Sequence, residues 1–331
     1  MIEPPRLNVR EDYRASAPAG QHCYPFAWAA DLSSDAGRSE SQRYVTRGHH
    51  HEAEREILMS GQQTADRKVA IVTGSATGVG AAAAIMLAER GCNVVVNYTR
   101  SKVEAEETAA TCRAKGADVI VYQGDVAEDA SCRGMADAAI ERWGRIDYLI
   151  NNAAKTKFNP YENLDGLSAE DFLGIYKVNV VGAYQMVRAV APQMKRQGRG
   201  AIVNNSSIGG VTGIASSMAY AASKAALNMM TQSLSLVLGP EVRINAIAPG
   251  AIQTRWLQGG MTPQQYQDFL VNAAAMVPLQ VVPTAEQIAE ALVWFLEGAS
   301  VVTGEVLMVD AGLHCGRLPP SSSSKATWDK K

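Results

Sequence analysis

The stretch KVAIVTGSATGVG, residues 68 to 80, decides how the rest of the chain is read. Its first half is a short run of apolar, β-favouring residues, and its second half places glycines at 74, 78 and 80 before an alanine-rich segment of helical character. Glycine at those spacings permits a tight strand-to-helix turn. It also lets backbone N–H groups approach a pyrophosphate at the helix N-terminus, where the helix dipole favours negative charge. Gly74, Ser75, Thr77, Gly78, Val79 and Gly80 are therefore the candidate phosphate cradle. Packing alone also produces glycine-rich turns, so a nucleotide role depends on the company this turn keeps in the chain.

Six further short β-rich runs keep that company: NVVVNY (93–98), DVIVYQ (118–123), IDYLIN (146–151), AIVNNSS (201–207), VRINAIA (242–248) and EVLMVD (305–310). Helical segments of suitable length lie between most of them. Near-continuous apolar strands alternating with helices indicate a parallel sheet covered on both faces. Right-handed crossovers then give an α/β fold, a doubly wound parallel seven-stranded sheet of Rossmann type in a single domain. Thr284 with Gln287 forms a capping box, and Thr262 precedes Pro263 at a first-turn position. Residues 1–60 mix Pro, Gly, Ser and charges without periodicity and are expected to be a disordered or non-native leader, with Met59 a natural start. The folded body is expected over 61–313 and a flexible tail over 314–331.

Bulk composition narrows the function classes. The chain has 331 residues, 47% of them hydrophobic, and a formal net charge of −2, which gives no footprint for nucleic acid. No apolar run is long enough to cross a bilayer and the N-terminus lacks the apolar core of a secretory signal, so a cytoplasmic protein without a membrane partner is expected. The five cysteines, Cys23, Cys92, Cys112, Cys132 and Cys315, are widely spaced and read as reduced thiols. All five histidines, His22, His49, His50, His51 and His314, lie outside 60–312, so the chemistry of the body does not use imidazole. The HHH run at 49–51 reads as solvated, and no metal site is expected.

The acid–base candidates lie instead in SMAYAASKAALNMM, residues 217 to 230. Four residues on a helix put Tyr220 and Lys224 on one face. A free tyrosine titrates near 10, and an ammonium beside it favours the phenolate. A Tyr-x-x-x-Lys also arises by chance. Ser207, thirteen residues upstream of Tyr220 at the end of the AIVNNSS strand, gives the pair a context, because the crevice outside the strand ends is where a doubly wound sheet binds ligands. A hydroxyl there can hold a carbonyl oxygen while the tyrosine delivers its proton; a turn or cap role for Ser207, or for its neighbour Ser206, is the plainer alternative. Asp125 and Val126 stand at the end of the third strand, where the carboxylate can accept from an adenine amino group or simply cap a helix.

Taken in order, TGSATGVG, GDV, NNAA (151–154), KVNV around Asn179, Ser207, YAASK, APGAIQT (248–254) and VTGEVLMVDAG (302–312) resemble the compact branch of the short-chain dehydrogenase/reductase family, over roughly residues 66 to 312. The resemblance implies an NAD(P)-dependent oxidoreductase moving a hydride between nicotinamide and a carbonyl or secondary alcohol. It assigns Tyr220 as general acid or base, Lys224 to the tyrosine pKa and the nicotinamide ribose, and Ser207 to the carbonyl. Asn179 would support a proton relay through water to Lys224. Asn152 and Ala153 would line the cofactor groove, and Pro249, Gly250, Ile252 and Thr254 would contact the carboxamide. The sequence departs from the family pattern in small ways, with NNAA lacking the usual terminal glycine and GVG standing where GIG is common.

Within the family the nearest look is to 3-oxoacyl-[acyl-carrier-protein] reductases, so a small ketone or alcohol, free or carrier-bound, is the expected substrate and a homotetramer the expected assembly. A sugar or alcohol dehydrogenase using NAD is the competing enzyme reading, and a non-catalytic dinucleotide sensor the reading from another class. The segment 255–280 has no Arg or Lys after Arg255 and reads as a mobile lid favouring a neutral substrate. NADP(H) is expected over NAD(H). The second strand ends in Asn97 and Tyr98 with no carboxylate, and Arg100, aided by Ser101, can reach a 2′-phosphate.

Overall fold

The computed structural model describes residues 67–259 and 261–316. The expected leader lies outside the described residues, as do residues 317–331 of the expected tail. The seven expected strands are all present: β1 (Val69–Val72), β2 (Asn93–Tyr98), β3 (Val119–Gln123), β4 (Tyr148–Asn151), β5 (Gly200–Asn205), β6 (Val242–Pro249) and β7 (Val306–Val309). Every neighbouring pair is parallel, in the order β3-β2-β1-β4-β5-β6-β7. The chain therefore winds outward from β1 in one direction, returns to its other side at β4, and winds outward again. The β1/β4 boundary is the switch point, and the crevice for a ligand opens beyond the carboxyl ends there.

Burial explains why the strands were legible. All four residues of β1 and all six of β2 are buried, as expected of a sheet covered on both faces. Alternate side chains serve two apolar layers. Ala70, Val72, Val94, Val96, Tyr148 and Ile150 pack with helices α1 (Gly78–Glu89), α2 (Lys102–Ala114) and α10 (Ala285–Glu297). Val69, Ile71, Val95, Leu149 and Ile202 pack with α3 (Asp129–Trp143), α5 (Ala183–Arg196) and the end of α7 (Met218–Leu238). A short helix α4 (Ala169–Tyr176) continues through a π-helical stretch, Lys177–Gly182, into α5, and α6 (Gly209–Thr212) comes after β5.

The two expected capping signals hold. Thr284 and Gln287 close a capping box on α10, and Thr262 with Gln265 closes another on α9 (Pro263–Met276), with Pro263 in its first turn. The segment read as a lid contains α9 and a shorter helix, α8 (Arg255–Gln258), and neither buries a residue. At the other end, the body runs further than expected. Leu313–Cys315 form a 3-10 turn held by Asp310, whose carboxylate accepts from the backbone N–H of His314 at 2.8 Å.

Candidate active site

Every strand delivers its candidate residues to the same edge of the sheet. After β1, Gly74 and Gly78 both take φ of +61°, a backbone conformation that side chains with a Cβ rarely adopt. Gly80 is tight for another reason: a Cβ there would come within 2.5 Å of Asn152 Nδ2 and 2.6 Å of Gly74 O. The loop is held from three sides. Gly74 N donates to Asn97 Oδ1 at 2.9 Å, and Asn152 Nδ2 donates to Thr73 O and Gly74 O at 3.0 and 2.9 Å. Ala153 lies against Gly74. Thr77 is the N-cap of α1 but makes no side-chain cap, so the first N–H groups of the helix face the loop mouth without a side-chain acceptor.

Several expected cofactor contacts have side chains turned into the core. Ser75 is fully buried, with its hydroxyl donating to Val72 O and accepting from Asn97 N. Val79, Tyr98 and Val126 are also buried, Val126 against Gly182 of the π-helical stretch. These four have only backbone to offer a ligand. Asp125 is exposed, and its carboxylate accepts from Ala127 N at 2.9 Å in a local turn; it does not cap α3, whose N-cap is Glu128. Asn97, read from the sequence merely as a missing carboxylate, is a buried strut; beyond holding Gly74 it donates to Tyr122 O and Gly124 O. Arg100 is exposed and forms no ion pair among the described residues, with Ser101 as N-cap of α2 beside it.

The structure separates the two serines that the sequence could not. Ser206 is buried and donates to Lys224 O at 3.3 Å, a packing role. Ser207, two residues past the end of β5, accepts from Gly209 N at 3.1 Å and stands close enough to the Tyr220 hydroxyl to draw its pKa down. Tyr220 and Lys224 lie one turn apart on α7, whose N-cap Ser217 accepts from Tyr220 N. Burial pushes the Tyr220 hydroxyl up to about 12, and Ser207 opposes that rise. Burial likewise pushes Lys224 down to about 7. Its Nζ donates to Asn205 O at 2.7 Å and stands 5.5 Å from the centre of the Tyr220 ring. The expectation that an ammonium draws the tyrosine pKa down is therefore not met by the residues alone. Desolvation dominates both groups, and a lysine that sheds its proton near neutrality is a weak charge partner.

Asn179 has partners of its own. It sits in the π-helical stretch, buried, with Oδ1 accepting from Lys155 N at 2.7 Å and Nδ2 donating to Lys155 O and Ser223 Oγ. Ser223 Oγ in turn donates to Tyr220 O at 2.7 Å. The Asn179 side chain ties α7 to Lys155, and Oδ1 keeps one acceptor position beyond the bond from Lys155 N. Irregular π turns of this kind recur at functional sites.

Beyond β6, Pro249 ends the strand and Gly250 fits against Asp310, where a Cβ would approach to 3.1 Å. Thr254 is the N-cap of α8, and its methyl group faces Gly78 across the cradle. Two residues not anticipated from the sequence close the mouth. Arg255 bridges to Glu104 of α2 at 2.8 Å and reaches Thr77 Oγ1 at 3.4 Å. The Trp256 ring lies 6.2 Å from that of Tyr220. Neither signal was readable locally, since the partners are 151 and 36 residues away.

A dinucleotide suits this set of donors. The left-handed glycines leave a cradle with uncapped N–H groups for a pyrophosphate. Lys224 has protons but no counter-charge, a match for neutral ribose hydroxyls, and Asn205 Oδ1 is buried without a partner beside it.

Residues 74–314 match the family model described as enoyl-(acyl carrier protein) reductase. A solved structure from Burkholderia xenovorans assigned to the short-chain dehydrogenases/reductases superposes with a TM-score of 0.71 at 35% identity, covering 76% of this chain and 99% of that one. The chain belongs to the short-chain dehydrogenase/reductase family. Like its relatives it is an oxidoreductase that works with a nicotinamide cofactor. Another relative is a protein assigned as ketoacyl reductase 2 of the granaticin polyketide synthase of Streptomyces violaceoruber. It is 39% identical over 74% of this chain and 96% of its own length. The structure of 7α-hydroxysteroid dehydrogenase with NADH and 7-oxoglycochenodeoxycholic acid matches at 30% identity and a TM-score of 0.67, over 74% of this chain and 93% of that one.

Proposed function

We propose that this enzyme interconverts a ketone and a secondary alcohol, with Tyr220 as the proton donor in reduction and the acceptor in oxidation. The convergence of Ser207 and Lys224 on Tyr220 at the switch-point crevice is the observation that carries this reading. A bound nicotinamide would supply the hydride chemistry at the carbonyl carbon. Ser207 holds the carbonyl oxygen within reach of the tyrosine hydroxyl. A phenol raised to about 12 is protonated at neutral pH, so the residues as they stand are set for donation to a developing alkoxide. Lys224 presents N–H groups to the ribose side, and Asn179 fixes α7 through Ser223. Trp256 provides an apolar wall opposite the tyrosine and helps exclude water.

The substrate is a 3-oxoacyl-type ketone. Supporting this are the ketoacyl reductase relative and the lid, whose described residues after Arg255 carry Asp268 as their one charged side chain up to Gln280. A bulkier cyclic alcohol oxidised with NAD is the second reading, favoured by the hydroxysteroid dehydrogenase relative bound to NADH. A preference for NADP(H) is supported by the Asn97 amide, consumed by the glycine loop, and by Arg100, exposed just past β2 and without an ion pair among the described residues. A homotetramer in the cytoplasm is the proposed working form.

The decisive experiment is turnover of a ketone and alcohol panel by wild type and Tyr220→Phe. Loss of a general acid lowers turnover by about a hundredfold or more while leaving dinucleotide affinity nearly intact. A variant retaining more than about a tenth of the wild-type rate would remove Tyr220 from the proton transfer.

A further inference from the structure

A second set of reactive side chains lies past the last strand, next to Gly250. The Asp310 carboxylate, 1% exposed, accepts from Gly312 N at 3.0 Å and His314 N at 2.8 Å. The same two oxygens take His314 Nδ1 at 3.0 and 2.9 Å. An ionised carboxylate offers only acceptors, so the ring proton belongs on Nδ1. The other ring nitrogen, Nε2, then faces Cys315 Sγ at 3.2 Å as an acceptor for the thiol proton. The order is nucleophile, base, and buried carboxylate orienting the base, the logic by which a thiol is activated.

The other described cysteines make the contrast. Cys92, Cys112 and Cys132 are buried, and burial pushes their thiols up to about 12, 11 and 12. Cys315 is exposed. Among the described residues, the segments packed on this turn, Pro249–Gly250 and 277–280, carry no charged side chain, so His314 and Asp310 are the titratable groups that face the thiol. The turn also adjoins the returning end of the lid, where Leu279 N donates to Ala311 O at 3.2 Å.

We propose that Cys315, served by His314 and Asp310, is a nucleophilic thiol and a site of covalent modification by hydroperoxides. Sγ attacks one peroxide oxygen; the S–O bond forms as the O–O bond breaks. Sulfur is oxidised by two electrons to a sulfenic acid and the peroxide is reduced. The thiol proton passes to His314 Nε2 and leaves with the displaced oxygen as water or an alcohol.

The test measures alkylation by iodoacetamide, and sulfenic acid trapping after hydrogen peroxide, on the native full chain, with each cysteine read in its own peptide by mass spectrometry from pH 5 to 9. An isolated thiol of pKa about 8.5 is only about 1% thiolate at pH 6.5. Cys315 should there react at least about tenfold faster than glutathione and far faster than Cys92, Cys112 and Cys132. His314→Gln should return its rate at pH 6.5 to that of glutathione, with no change at the buried thiols. The wild-type profile decides the matter even if the variant folds poorly. A Cys315 rate equal to that of glutathione in the wild type, or an unchanged rate in His314→Gln, would overturn the proposal.

Discussion

Lys224 is 2% exposed, with no carboxylate to balance it among the described residues, and that makes a pH-dependent stability prediction. In the unfolded chain this lysine keeps its proton to about 10.4, whereas in the fold burial lowers its pKa to about 7. Between those values the unfolded state binds more protons than the folded one, so stability from this group rises with pH; below the lower value the full penalty of a buried charge is present. Replacing the lysine by methionine removes the titration while keeping much of the side-chain volume. The quantity to measure is the difference in unfolding free energy, wild type minus Lys224→Met, by urea titration of cofactor-free protein at pH 6, 7, 8 and 9. At about 1.4 kcal/mol per pH unit above the folded pKa, the difference should move in favour of wild type by roughly 2 to 3 kcal/mol between pH 6 and 9. Tyr220 adds little in this window, because its folded and unfolded forms both hold the proton below about 10. Curves that stay parallel from pH 6 to 9 would show that Lys224 keeps its proton throughout. The account of a lysine isolated from any counter-charge would then be wrong.

The remaining predictions address single contacts. Gly80→Ala forces a methyl group onto Asn152 and Gly74 O and should destabilise by about 1 to 3 kcal/mol, a drop of several degrees in Tm, while weakening dinucleotide binding in a titration. Ser207→Ala should lower kcat by about a hundredfold or more, as loss of a donor to the developing oxyanion does, whereas Ser206→Ala should leave kcat within about threefold and cost at most about 1 kcal/mol in stability. Equal kinetic losses from the two would deny that the structure separates their roles. Arg100→Ala should reduce the NADPH-to-NADH ratio of kcat/KM by about tenfold or more, the worth of a hydrogen bond to a charged group at ~1.5 to 3 kcal/mol. An equal change for both cofactors would place the guanidinium away from the 2′-phosphate.

The central strands could be read from the sequence because they are covered on both faces, which forces a continuous apolar run that local inspection detects; the edge strands β3 and β7 are only partly buried and were read from their β-rich composition. The capping box at Thr284 was equally local, covering four residues, and Thr262 before Pro263 marked the start of α9, where the structure adds a box with Gln265. Tyr220 and Lys224 shared a face by helical period alone. What was missed depended on distance. Nothing in the neighbourhood of Asn97 says that its amide will hold Gly74, and nothing near Trp256 places it beside Tyr220. The choice between Ser206 and Ser207 turns on strand direction at the end of β5, where a shift of one residue reverses the face. The electrostatics of Lys224 were misjudged for the same reason: proximity to a tyrosine is a local fact, and the cost of burial is a property of the whole fold.

Helices α8 and α9, which bury no residue, divide the labour of the molecule in a way that bears on its history. Two apolar layers and seven strands carry the free energy of folding, and this excursion over the crevice carries almost none of it. Substitutions there escape the stability threshold that filters changes in the core. Such a segment can drift, lengthen or acquire new side chains while the frame below continues to fold and to present its acid–base groups unchanged. Family members that share the frame and differ in substrate are the expected product of that freedom, and a library randomised over the exposed positions of 256–276 should yield mostly folded proteins.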